Sequence, residues 1–150
     1  KIPNNSYELY QSSYVNYNWF NSFNNEKTNT ISIKATNPWI TADIQVSTHK
    51  DHLYFRDTSL NSSVQLVSPS QYDGTINYVS LKLNKEFKFG KFALDNTLLF
   101  QKVEQQDAIL NVPQWVTRNS FYFSDYMFEK ALYLQTGFVF NYFTKFIKFC

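Results

Sequence analysis

The sequence of 150 residues predicts an all-β fold, an antiparallel meander of about seven long strands. Three observations predict it. Apolar side chains recur with period 2 along almost the whole chain, and a helical period of 3.6 sustains itself nowhere beyond a turn at 126–132. Turn-forming residues interrupt the pattern at short intervals, so neighbouring strands run antiparallel. The composition, 43% hydrophobic and 19% aromatic with only 3 Gly and 4 Pro, excludes disordered and collagen-like chains.

The elements follow in order. At 15–23, Val15, Tyr17, Trp19, Asn21 and Phe23 stand against Asn16, Asn18, Phe20 and Ser22, and Asn24 to Lys27 supply a turn. Ile31, Ile33 and Ala35 then alternate with Thr30, Ser32, Lys34 and Thr36 until Asn37-Pro38 breaks the run. Ile40, Ala42, Ile44 and Val46 alternate with Thr41, Asp43, Gln45 and Ser47. Residues 49–73 lose the pattern and read as a long loop with a small hairpin of its own. Alternation resumes with Val79, Leu81, Leu83, Phe87 and Phe89 on one face, interrupted there by Lys85, and Tyr78, Ser80, Lys82, Asn84, Glu86 and Lys88 on the other. Gly90 makes a tight turn. Phe92, Leu94, Leu98 and Phe100 oppose Ala93, Asp95, Thr97, Leu99 and Gln101, and a polar loop follows over 103–113. Trp115, Thr117, Asn119, Phe121 and Phe123 oppose Val116, Arg118, Ser120, Tyr122 and Ser124. After a turn at 125–130, Leu132, Leu134, Phe138, Phe140 and Tyr142 oppose Tyr133, Gln135, Gly137, Val139 and Asn141.

The solvent met by the apolar faces decides between two architectures. In a soluble sandwich they pack inward; in a transmembrane barrel they meet lipid. Strands of about 9–15 residues suit a tilted membrane strand better than the usual soluble one. Ile44, Leu81, Leu83, Leu98, Phe100, Phe121, Phe138 and Phe140 are read as lipid-facing, and the charged residues Lys34, Asp43, Lys82, Glu86, Lys88, Asp95 and Arg118 as facing a watery lumen. Trp19, Trp39 and Trp115 fall near strand ends, where an aromatic girdle lies. Lys85 is expected to snorkel at an interface or to mark a bulge. About seven strands are one short of the usual smallest barrel, and the pattern stops abruptly in FNYFTKFIKFC. The expectation is therefore an incomplete transmembrane β-barrel over 1–150, a fragment without a second domain.

The stretches WVTRNSFYFS, FEKALYLQTG and FNYFTK, with FKFGKFALDNTLLFQKV upstream, resemble the putative porin family of Bacteroidota outer-membrane proteins. The similarity covers most of 13–146, and FIKFC departs from the family's pattern. It implies a piece of a longer outer-membrane barrel that passes small solutes. Its partners would be membrane lipid, the solutes and the missing remainder of the barrel.

Other chemistry finds little support. A formal charge of +2 does not argue for nucleic acid. The single cysteine, Cys150, offers no disulfide or thiolate zinc site within the chain. No secretory leader is visible at KIPNNSYELYQ. His49 and His52 are a metal-like pair, but on a regular strand they point to opposite faces, so a solvated loop is expected. No nucleophile-elbow motif occurs. The reading is a non-enzyme without cofactor or metal. The alternative is a soluble or secreted β-sandwich that binds carbohydrate or another ligand through its aromatics.

Overall fold

The computed structural model of the chain describes residues 2–3, 5–11, 18–57 and 67–146. A helical turn, α1 (Asn5–Glu8), leads into β1 (Leu9–Tyr10), which pairs with β2 (Trp19–Phe20) as a small antiparallel ribbon. Six longer strands form one antiparallel sheet in chain order: β3 (Lys27–Thr36), β4 (Thr41–Asp57), β5 (Val67–Phe89), β6 (Phe92–Glu104), β7 (Trp115–Met127) and β8 (Leu132–Phe143). Strands β3 and β8 are its edges and do not pair with each other, so the sheet is an open, all-β meander.

Of the long strand expected at 15–23, the described residues hold only Trp19–Phe20 in a strand. Val15 and Tyr17 lie outside the described residues, and only Trp19–Phe20 of the rest pairs, with β1. Asn21 and Phe23 are not in a strand. The long loop expected over 49–73 is mostly strand: β4 and β5 continue their ladder to the pair Asp57–Val67. Its alternation was hidden by a bulge. The register shifts between Lys50 and His52, leaving Asp51 opposite Asp73 and Gly74 without regular partners, and Asp51 takes φ 57°. One irregular step resets the parity of everything beyond it.

The connections sort by length onto two ends of the sheet. Turns at 37–40, 90–91 and 128–131 lie at one end of the sheet; β4 and β5, and β6 and β7, are joined at the other, by stretches of sequence nine and ten residues long. Short and long thus alternate cleanly through Asn37-Pro38, which the sequence did not reveal. Asn37 Oδ1 accepts from the backbone N–H groups of Trp39 and Ile40, both at 2.8 Å, and so closes its own turn. Gly90, at φ 62°, makes the two-residue β5–β6 turn.

Strand ends are staggered. The register row Thr36–Thr41–Asn84–Thr97–Arg118–Asn141 touches the β3–β4 turn, crosses β5 and β6 mid-strand, and nears the opposite end of β7 and β8. The line of turns therefore runs oblique to the hydrogen-bond rows, the stagger that accompanies strand tilt in barrels.

The sheet has two unlike faces. Ile31, Ile33, Ile44, Leu81, Leu83, Leu98, Phe100, Phe121, Phe138 and Phe140 fall on one by register. On β5 its apolar stretch runs from Val79 to Phe89, interrupted at Lys85; at ~3.3 Å per residue and a tilt of ~45° it covers roughly 25 Å. That matches the outward apolar band of outer-membrane barrels. Lys27, Lys50, Asn77, Lys102 and Glu104 bound this face at the long-connection end. Burial falls on the other face: Ser47, Ile76, Ser80 and Ala93 are buried there, whereas Ile31, Ile33, Phe138 and Phe140 are 60–70% exposed.

Candidate functional site

The polar face is the candidate site. The period-2 pleat puts Lys34, Asp43, Lys82, Glu86, Lys88, Asp95 and Arg118 on it together. Lys34, Asp43 and Lys82 are consecutive partners in one row, an acid between two lysines. They line a cavity of about 320 Å³ with Thr41, Asn84 and Thr97. Asn84 is the centre of the neighbouring network: its Nδ2 donates to Asp95 Oδ1 at 2.9 Å and to Thr97 Oγ1 at 3.0 Å. Asn84, Thr97 and Tyr122 were not singled out from the sequence, where amides and hydroxyls on a polar face look alike.

Glu86 and Asp95 are directly opposite in register. Like charges so placed repel, and each is stabilised from elsewhere. Lys88 Nζ lies 2.9 Å from Glu86 Oε2, two residues along the same strand. Tyr122 Oη, on β7, donates to Glu86 Oε1. Asp95 accepts from Asn84 rather than from a lysine. The ion pair of Glu86 thus runs along β5. At the short-turn end Lys91 pairs with Asp125 and ties the β5–β6 turn to β7.

The other named residues also have definite places. Of the apolar set, Ile44, Phe138 and Phe140 are exposed, and Leu81, Leu83, Leu98, Phe100 and Phe121 are partly covered by their neighbours on the same face. Phe121 packs against Phe92 and Phe138, with ring centroids at 5.7 and 5.5 Å. Trp39 sits in the β3–β4 turn and Trp115 at the opposite end, where it meets Phe100 at 4.7 Å. Trp19 belongs to the small ribbon, stacked on Tyr10 at 4.6 Å, and not to the large sheet. Lys85 shares its row with Asn96 and Asn119. Its Nζ lies 5.1 Å from the Trp39 ring and 5.3 Å from Phe87, so two aromatic faces hold the ammonium.

His49 and His52 are in β4, not in a solvated loop, and both are only partly exposed. Their rings lie 6.4 Å apart because the irregular step at Asp51 cancels the parity that would separate them. Among the described residues, no group of three or more His, Cys, Asp or Glu could hold a metal ion. Cys150 lies outside the described residues.

A family model described as putative porin matches residues 1–148. The chain belongs to the putative porin family. Comparisons with curated proteins and with solved structures give no match. In this porin-family chain the sheet sets an apolar surface back to back with a charged one.

Proposed function

We propose that the chain is a wall segment of an outer-membrane barrel that lets small solutes pass along its polar face. The observation that carries this is the inverted burial of the sheet. Large apolar side chains stand exposed on one face, and small residues such as Ser47, Ser80 and Ala93 are buried on the other. A water-soluble sheet hides its apolar face; a membrane wall turns it to lipid. The strands of the remaining barrel would pair with β3 and β8, covering edges that otherwise invite aggregation. The passage is passive and needs no enzyme chemistry, no cofactor and no nucleic-acid contact. Short turns usually face the periplasm and long connections the exterior, so Gly90-Lys91 lies inside and 105–114 outside.

The test is made on the full protein with Cys150→Ser. A cysteine at Asp107 should react on intact cells with a membrane-impermeant maleimide, and one at Lys91 only after the outer membrane is opened. Reconstitution in a planar bilayer should give conductance. Recovery in the soluble fraction without detergent would refute the membrane reading, and labelling at Lys91 alone would reverse the topology.

A further inference from the structure

Beyond the charged rows the polar face carries a second, more enclosed feature towards the long-connection end. A cavity of about 530 Å³ lies there, lined by Glu26, Thr28, His49, His52, Tyr7 and Leu53 among others. That volume is in the range of small-molecule sites. Its polar groups are held in place. His49 contacts Thr28 Oγ1 through Nδ1 and Ser47 Oγ through Nε2, both at 3.1 Å. Glu26 Oε1 accepts from the Leu53 backbone N–H at 2.9 Å and lies 3.2 Å from His52 Nδ1. The bulge behind them is fixed by Gln71, whose Nε2 donates to the carbonyls of Asp51 and Asn24 at 2.9 and 2.8 Å. Bulges recur where a fold re-aims side chains towards a site.

The donor set selects the ligand. A carboxylate only accepts hydrogen bonds, a neutral imidazole offers one donor and one acceptor, and the Thr28 hydroxyl offers both. With both ring nitrogens of His49 engaged by Thr28 and Ser47, a ligand meets Glu26, the remaining capacity of the Thr28 hydroxyl and His52, and a cation would use only Glu26. An anion would be repelled by Glu26. Hydroxyl groups donate to the carboxylate and accept from N–H and O–H alike. The tyrosine ring of Tyr7 and the buried Leu53 side chain offer an apolar surface to C–H groups. We infer that this cavity binds a neutral polyhydroxylated solute, a mono- or disaccharide, at the outer mouth of the passage. The inference rests on the proposed passage for its setting, not for its chemistry.

The test titrates the full protein in detergent micelles with maltose by isothermal calorimetry, with choline and inorganic phosphate as comparison probes. Maltose should bind more tightly than either. Glu26→Gln keeps an acceptor for the Leu53 N–H yet removes the charge, and should weaken maltose about tenfold or more. Thr28→Val should weaken it as well. Circular dichroism of each variant establishes that the sheet is retained. Tighter binding of choline or of phosphate would overturn the ligand class. Unchanged maltose affinity in folded Glu26→Gln would overturn the site, as would no binding of maltose by a protein that conducts in a bilayer. Maltose binding by a protein that does not conduct would uphold the site and defeat only the passage.

Discussion

Gly137 stands opposite Tyr122 on the polar face, and a methyl group added there would meet the Phe121 carbonyl oxygen at 2.3 Å and Tyr122 Cα at 2.7 Å. Those atoms are backbone and cannot step aside. Gly137→Ala should cost roughly 1–3 kcal/mol, as overpacking does, read as a lower urea midpoint for the protein folded in lipid vesicles. Leu81 and Leu99 allow a sharper comparison, since they are the same residue on opposite faces of adjacent strands. Leu81→Arg should cost ~2–4 kcal/mol in vesicles, the range for arginine near the bilayer midplane. Leu99→Arg, next to Lys82 in its row, should cost far less. Equal losses would mean that the apolar face does not meet lipid.

Among the described residues, backbone strain gathers in the β7–β8 turn. Phe128, Glu129 and Lys130 all take positive φ, at 53°, 56° and 75°. Each such residue carries a penalty of ~1–2 kcal/mol that glycine avoids, less what glycine loses in chain entropy. Glu129→Gly should therefore stabilise the hairpin by about 0.5–1 kcal/mol, visible as a raised urea midpoint. This scale also shows what the sequence could and could not convey. From Ile31 to Val46 and from Val79 to Phe143 nearly every residue falls on the face its parity assigns, because a pleated ladder transmits parity without loss. The ladder through 49–57 was illegible because Asp51 breaks that transmission. No residue type at 51, 73 and 74 announces a bulge rather than a loop. The same break brings His49 and His52 together although their spacing on a regular strand would separate them. Lys82 and Glu86 were legible as charges on one face, but their partners were not, since pairing depends on side-chain reach and not on parity.

At the scale of the whole molecule, the proposed passage gives the lysines of the polar face a role through the field they would impose on it. Lys82 and Lys88 lie on one strand and one face, and an ion within a Debye length, ~8 Å at physiological salt, feels them directly. In the full protein in a planar bilayer, Lys82→Gln with Lys88→Gln should move the reversal potential in a salt gradient towards cation preference. The shift should shrink as salt is raised. A conducting protein whose reversal potential does not move would place these lysines away from the narrowest part of the passage.

The unequal step at Asp51 also bears on which genetic lesions the gene tolerates. Two residues of β5 face one of β4 there, so losing the codon for Asp73 or Gly74 would turn an irregular step into an ordinary pair. Losing one codon between Val79 and Leu83 would move the residues beyond it to the opposite face of the sheet. Codon losses should accordingly survive selection at the bulge and in the connections, and be purged from the uninterrupted ladder between them.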